Sequence, residues 1–302
     1  MQKRMGEITL QQALDEFKTI CMPSRNFAIR TRKEYLNDLE DLLRFLETTG
    51  VTRVGEVGLS HLECYLAELD YSGYTGSTRK RKTITIRSFF NFLNHEGNVA
   101  NDVSRRLIPP YAEMTRPRVL TQAEYQRLLR ASSTSSRDTA IIEFLLQTGI
   151  RLSELVRLRL SDLDLPDAVE PGADKIGQVR IINGGGRKSR CIPLNNRVCL
   201  ALKDYLKHRP VIPTDVVFVN RFRIPLGPRG VQKLMKKYLD EAEVRRASVH
   251  SLRHTFATQH VARGTSLKTI QEAMGYRDIR TTALYVSLAQ QTMRKELQAH
   301  PL

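Results

Sequence analysis

Thr148-Gly149-Ile150-Arg151-Leu152-Ser153-Glu154-Leu155 compresses a helix end, a turn and a new helix start into one short stretch. Gly149 can take the left-handed backbone that closes a helix, and Ser153 reads as the cap of the next one. Arg151 then lies in the turn, where a fixed backbone aims its guanidinium. A surface ion pair is the plainer use of such an arginine, so its partners elsewhere in the chain decide between the two readings.

Toward the C-terminus, Val249-His250-Ser251-Leu252-Arg253-His254 puts His250 and Arg253 three apart, on one face of a helix. Arg151 and Arg253 together supply two planar forks, enough to hold both non-bridging oxygens of one phosphodiester. His250 adds a group that moves protons near neutral pH. A His and an Arg on a helix are more often structural, so the weight rests on the set. His254 is expected to pack or hydrogen-bond behind these groups, and Glu154 to orient Arg151 or cap its helix. A third segment, Met274-Gly275-Tyr276-Arg277-Asp278-Ile279-Arg280-Thr281-Thr282-Ala283-Leu284-Tyr285, ends a helix at Gly275 and brings two phenols, Tyr276 and Tyr285.

Composition narrows the partner. The 302 residues carry 48 Lys plus Arg against 32 Asp plus Glu, a net charge of +16, which attracts polyanions. Nucleic acid is the leading partner class; membrane binding, which wants a basic amphipathic helix or a lipid anchor, is disfavoured because no apolar run approaches the roughly 20 residues that span a bilayer. The start, Met1-Gln2-Lys3-Arg4-Met5, precedes polar, helix-like sequence, so no export signal is expected and the chain is placed in the cytoplasm, on the nucleoid. Cys21, Cys64, Cys191 and Cys199 are scattered without metal-ligand spacing, and Asp162 with Asp164 lacks a third carboxylate, so neither a metal nor any other cofactor is expected.

The length suits two domains. Helical spacing and caps predict helices at Thr9–Glu16, Thr31–Leu46, Ser60–Leu69 and Ser77–Leu93, a small helical bundle over residues 1–100. Its last helix begins with Arg79-Lys80-Arg81-Lys82, either a phosphate grip or a solvated helix end. Pro109, Pro110 and Pro117 suggest a linker over 101–117. Residues 118–302 form the second domain: a helix opened by Thr121 and Glu124 as a capping box, another over Arg137–Gln147, and a hairpin within Gly177–Leu194. Helices follow at Arg197–Lys207, Gly227–Glu241, Val249–Arg263 and Leu267–Met274, with short ones at Thr281–Val286 and Leu288–Gln298. The fold class is mainly α with a small antiparallel sheet.

The ordered set Arg151, His250, Arg253 and Tyr285 resembles the tyrosine recombinases, the lambda-integrase family, with its T-G-x-R-x-S-E-L box, its H-x-L-R box and a tyrosine nine residues after an L-G-H segment. The resemblance covers nearly the whole chain and implies a two-domain architecture, a helical core-binding domain followed by a catalytic domain with a C-terminal tail. It also implies that Tyr285 attacks a scissile phosphate to give a 3′-phosphotyrosyl link without metal or ATP, with Arg151 and Arg253 stabilising the transition state and His250 assisting. Paired recombination sites with inverted repeats, held by a homotetramer that exchanges tails, come with the same likeness. Two positions depart from the pattern. Tyr276 stands where the family has His or Trp, and a phenol can still donate one hydrogen bond. Gly185 stands where the family's hairpin lysine belongs; Lys188, three residues on, either protonates the leaving oxygen or only contacts DNA backbone. A catalytically impaired DNA-binding accessory protein and a type IB topoisomerase-like enzyme are the alternatives.

Overall fold

The computed structural model describes residues 6–112, 116–167, 177–182, 189–276, 282, 284–290 and 298. The chain divides into two compact units, Met1–Thr115 and Arg116–Leu302. The turn carrying Gly185 and Lys188, and most of the tail beyond 290, lie outside the described residues.

The described residues of the first unit are mainly helical, with one isolated bridge between Thr9 and Arg53. Thr9 accepts from the Gln12 amide while Gln12 caps Thr9, starting α1 (Leu10–Glu16). A wider π-turn at Phe17–Cys21 then leads into α2 (Met22–Ser24). Pro23 accounts for it: a proline inside a regular helix removes an N–H and collides with the carbonyl a turn earlier, and a π-turn relieves both. Helices α3 (Ile29–Thr48), α4 (Leu59–Tyr71) and α5 (Gly76–His95) complete the bundle. Leu39, Leu42, Leu43 and Leu46 of α3 face a core that also holds Phe17, Phe89, Phe90 and Phe92. Phe17 meets Phe89 edge-on with ring centroids 5.4 Å apart. The stretch expected as a linker is partly absorbed here, since Val103–Arg106 forms a 3-10 turn and Leu107 is buried in this core.

In the basic run opening α5, Arg79, Arg81 and Lys82 are held in ion pairs, while Lys80 and Arg81 stay exposed to solvent. Arg79 pairs with Asp70 at 2.8 Å and Arg81 with Asp38, while Lys82, only 2% exposed, reaches Asp41 at 2.7 Å and Asp38 at 3.2 Å. Lys82 loses hydration, yet the carboxylates more than compensate and raise its pKa. Beside them, burial pushes the Tyr65 phenol up to about 12.

In the second unit, the Thr121–Glu124 capping box starts α6 (Gln122–Ser132), and Ser135 caps α7 (Ser136–Thr148), the central core helix. A single turn, α8 (Leu152–Leu155), precedes a three-stranded antiparallel sheet in the order β1 (Leu163–Asp164), β2 (Gly177–Ile181), β3 (Arg190–Leu194). Val179 pairs with Ile192, and alternate residues Val179, Ile181, Ile192 and Leu194 enter the core that α7 shares. The strand β1 is an addition to the hairpin expected from sequence. Helices α9 (Asn196–His208), α10 (Pro228–Glu241), α11 (Val249–Ala262) and α12 (Leu267–Met274) follow. Residues 284–290 form one helical run, α13, with no break at Ser287, whose hydroxyl donates to the Leu284 carbonyl inside the helix. Among the described residues no helix is long and apolar enough to cross a membrane.

Candidate active site

The site is assembled on two helix ends. At the first, Gly149 closes α7 at φ 59°, and a side-chain carbon there would come within 2.8 Å of the Phe256 ring. Glycine therefore serves twice: it takes the left-handed turn and lets α11 pack against the end of α7. The chain emerges at Arg151, whose backbone N–H donates to Glu154 Oε2 at 2.8 Å and whose Nη1 donates to Oε1 at 3.0 Å. Both roles expected of Glu154, cap and orienting group, are filled by one side chain.

The second end is the C-terminus of α12, closed by Gly275 at φ 64°. The last carbonyls of any helix have no partner within it and carry the negative end of its dipole. Here three consecutive ones each take a different arginine. Ala273 O accepts from Arg190 Nε at 2.6 Å, Met274 O from Arg253 Nη2 at 2.6 Å, and Gly275 O from Arg151 Nη2 at 2.8 Å. Arg253 also donates from Nη1 to Gly149 O, tying the two helix ends together. It is 6% exposed, and burial draws its pKa below the usual arginine value against the opposing pull of Tyr276.

Tyr276 lies on this cluster, its ring centre 4.7 Å from the Arg253 guanidinium and 5.8 Å from that of Arg151. Its hydroxyl is 2.9 Å from that of Tyr285 and accepts from Arg253 Nε at 3.4 Å. Tyr285, on α13, is 1% exposed and packs with Phe256, Ile270, Met274 and Leu288. The ring is thus in an apolar cluster, but its hydroxyl end is polar, bounded by Tyr276 and by His254 Nδ1 at 3.0 Å. Burial, then the contact with Tyr276, raises the Tyr285 pKa far above that of a free phenol, with Arg253 opposing. Burial, then proximity to His250 and Arg253, lowers that of His254, which favours its neutral form. His250 is exposed on α11, one turn before Arg253.

The structure thus brings Arg151, Arg253, Tyr276 and Tyr285 into one connected set, with His250 alongside on α11; Lys188 lies outside the described residues. Sequence reasoning passed over Arg190. Its signal was parity: Arg190, Ile192 and Leu194 alternate along β3, so the arginine shares the inward face. Asp162 caps the 3-10 turn after Arg159 through an Oδ2 contact of 3.1 Å. Among the described residues no three His, Cys, Asp or Glu side chains group as metal donors.

Residues 118–292 match the phage integrase family, and residues 14–97 match the phage integrase, N-terminal SAM-like domain. Tyrosine recombinase XerC of Natranaerobius thermophilus is 32% identical over 298 residues, covering 94% of this chain and 96% of its own. Tyrosine recombinase XerC of Oceanobacillus iheyensis is 29% identical over 305 residues, covering 97% of each. Among solved structures, that of a lambda integrase tetramer bound to a Holliday junction gives a TM-score of 0.73 at 17% identity, over 90% of this chain and 78% of that one, a likeness of fold. A family match across more than half of the chain, together with relatives aligned along nearly all of it, means that the chain belongs to the phage integrase family of tyrosine recombinases.

Proposed function

We propose that this protein is a site-specific recombinase that cuts and rejoins double-stranded DNA through Tyr285. The observation that carries this reading is the arginine cluster on the end of α12, with the Tyr285 hydroxyl one hydrogen bond from the phenol that covers it. In the proposed step the phenolic oxygen bonds to phosphorus, the bond from phosphorus to the 5′-oxygen breaks, and that oxygen takes up a proton. The product is a 3′-phosphotyrosyl ester beside a free 5′-hydroxyl, and a partner strand's hydroxyl reverses the step. One ester replaces another, so ATP has no part in it. Arg151 and Arg253 stabilise the charge that builds on the five-coordinate phosphorus. Neutral His254, within hydrogen-bond reach of the phenol, is the first acceptor for its proton, and exposed His250 hydrogen-bonds the phosphate or relays a proton. Tyr276 replaces the family's usual group by donating its hydroxyl hydrogen bond. Lys188 either protonates the leaving oxygen or holds the DNA backbone.

The burial and raised pKa of Tyr285 support a further point: the free chain keeps its nucleophile protonated, and engagement of DNA draws it toward the phosphate. The DNA partner is a pair of sites with inverted repeats, held by a homotetramer that exchanges C-terminal tails; the tetrameric lambda integrase on a Holliday junction, similar in fold, supports this assembly. Work on DNA places the protein in the cytoplasm, on the nucleoid. The accessory-protein and topoisomerase-like alternatives are not favoured.

The test uses a nicked duplex carrying the sequence that the protein protects from nuclease in DNA flanking its own gene. Wild type should yield an SDS-resistant protein–DNA adduct, and Tyr285→Phe none. An adduct of undiminished yield in Tyr285→Phe, or none in wild type, overturns the assignment.

A further inference from the structure

We propose that Arg190 is a positioning residue for strand cleavage: it takes up the charge of Glu154, leaving the charge of Arg151 for the phosphate. The inference rests on the roles given above to Arg151 and Tyr285.

Glu154 is one buried carboxylate shared by two arginines, and it does not treat them alike. Arg190 meets it with a two-pronged fork, Nη1 to Oε1 at 3.0 Å and Nη2 to Oε2 at 2.8 Å. The Arg151 side chain makes a single contact, Nη1 to Oε1 at 3.0 Å. A bidentate fork is the stronger and more directional arrangement, so Arg190 sets the plane of the carboxylate. The side chain of Arg190 is 10% exposed and that of Arg151 30%, which makes the first an internal counter-ion and the second the group left facing outward. Hydrogen bonds from Arg190 and from the Arg151 backbone keep Glu154 ionised against its burial.

The charge balance decides the consequence. With Arg190 present, two cations and one anion leave one positive charge beside the Arg253 site. Without it, Glu154 and Arg151 cancel, and the carboxylate is free to turn and draw both prongs of Arg151 to itself. At low dielectric such cancellation is far from negligible. The position is also rigid. The Arg190 Nε contact with Ala273 O anchors the fork to α12, and a side-chain carbon on Gly275 would lie 3.0 Å from Arg190 Nη1 and 3.2 Å from Arg151 Nη1. Both guanidiniums therefore press on backbone that only glycine leaves open.

The experiment measures adduct formation on the nicked duplex described above with the full-length protein, alongside gel-shift affinity and thermal melting. Arg190→Ala should slow adduct formation about 100-fold, the scale of losing one transition-state donor, while DNA affinity changes less than about threefold. Arg190→Lys, which keeps charge without the fork, should fall between the two. The decisive variant is Arg190→Ala with Glu154→Gln, which removes the cancelling charge and should cleave about tenfold faster than Arg190→Ala alone. A purely structural role makes the double variant as slow or slower. Arg190→Met, which retains the stem of the side chain, replaces Arg190→Ala in both comparisons if the alanine variant does not fold. Wild-type speed in the single variant, or no recovery in the double, overturns the proposal. Failure of wild type to form any adduct instead fells the Tyr285 reading, and this proposal with it.

Discussion

At Gly149 two demands meet on one residue: a left-handed backbone, and the approach of the Phe256 ring to a position where any side-chain carbon would collide. The carbonyl of the same residue receives Arg253. Gly149→Ala should therefore cost about 1–3 kcal/mol from backbone strain and overpacking, read as a lower urea midpoint, and should slow adduct formation because Arg253 shifts with the carbonyl. An unchanged midpoint would show that α11 moves aside freely. Tyr276 illustrates a different economy at the same scale. Its face sits on Arg253 and its hydroxyl on Tyr285, so a single phenol links the cationic cluster to the buried Tyr285.

Among the elements, α12 matters most through its end. Its three terminal carbonyls hold arginines supplied by the turn after α7, by β3 and by α11, so an orphaned helix terminus becomes the frame of the site. In the first unit α5 plays a comparable part by charge. Lys82 is buried between Asp38 and Asp41 of α3, so the two helices are joined by an ion pair as well as by apolar contact. Removing one member of a buried pair strands the other, and Lys82→Met should lose about 3 kcal/mol in denaturant unfolding. Adding Asp38→Asn, which removes the stranded charge but keeps an acceptor for Arg81 and Thr85, should restore part of it; a single variant as stable as wild type would mean that the pair contributes nothing to this bundle.

For the whole molecule, a net charge of +16 favours DNA whatever its sequence, so the proposed pairing of two sites needs a second feature. The chain continues past Tyr285 through α13, where Leu288 is buried in the same cluster, toward Leu302, with apolar Met293 and Leu297 beyond residue 290. Deleting residues 291–302, which spares α13 and the packing of Leu288 with Tyr285, should leave affinity for a single site within about threefold, since few of the basic residues are lost. It should also abolish capture of a second duplex in a two-site gel assay. Full recombination by the truncated protein would reject tail exchange.

Helix positions, the left-handed stops at Gly149 and Gly275, and the capping boxes at Thr9 and Thr121 were determined by the sequence itself, because each depends on residues within a turn or two of one another. Arg151, Arg253 and Tyr285 could be singled out as candidates for another reason, that each lies in a short motif, and the fold brings them together through the end of α12 and Tyr276. The tertiary structure alone decided which groups share a charge. Arg190 reaches Glu154 across 36 residues and Ala273 across 83, and Arg81 and Lys82 on α5 are answered by acids more than 40 residues earlier, at Asp38 and Asp41. Local pattern fixes where a side chain can point; only packing selects the partner it meets, because an ion pair depends on distance in space and not on separation along the chain.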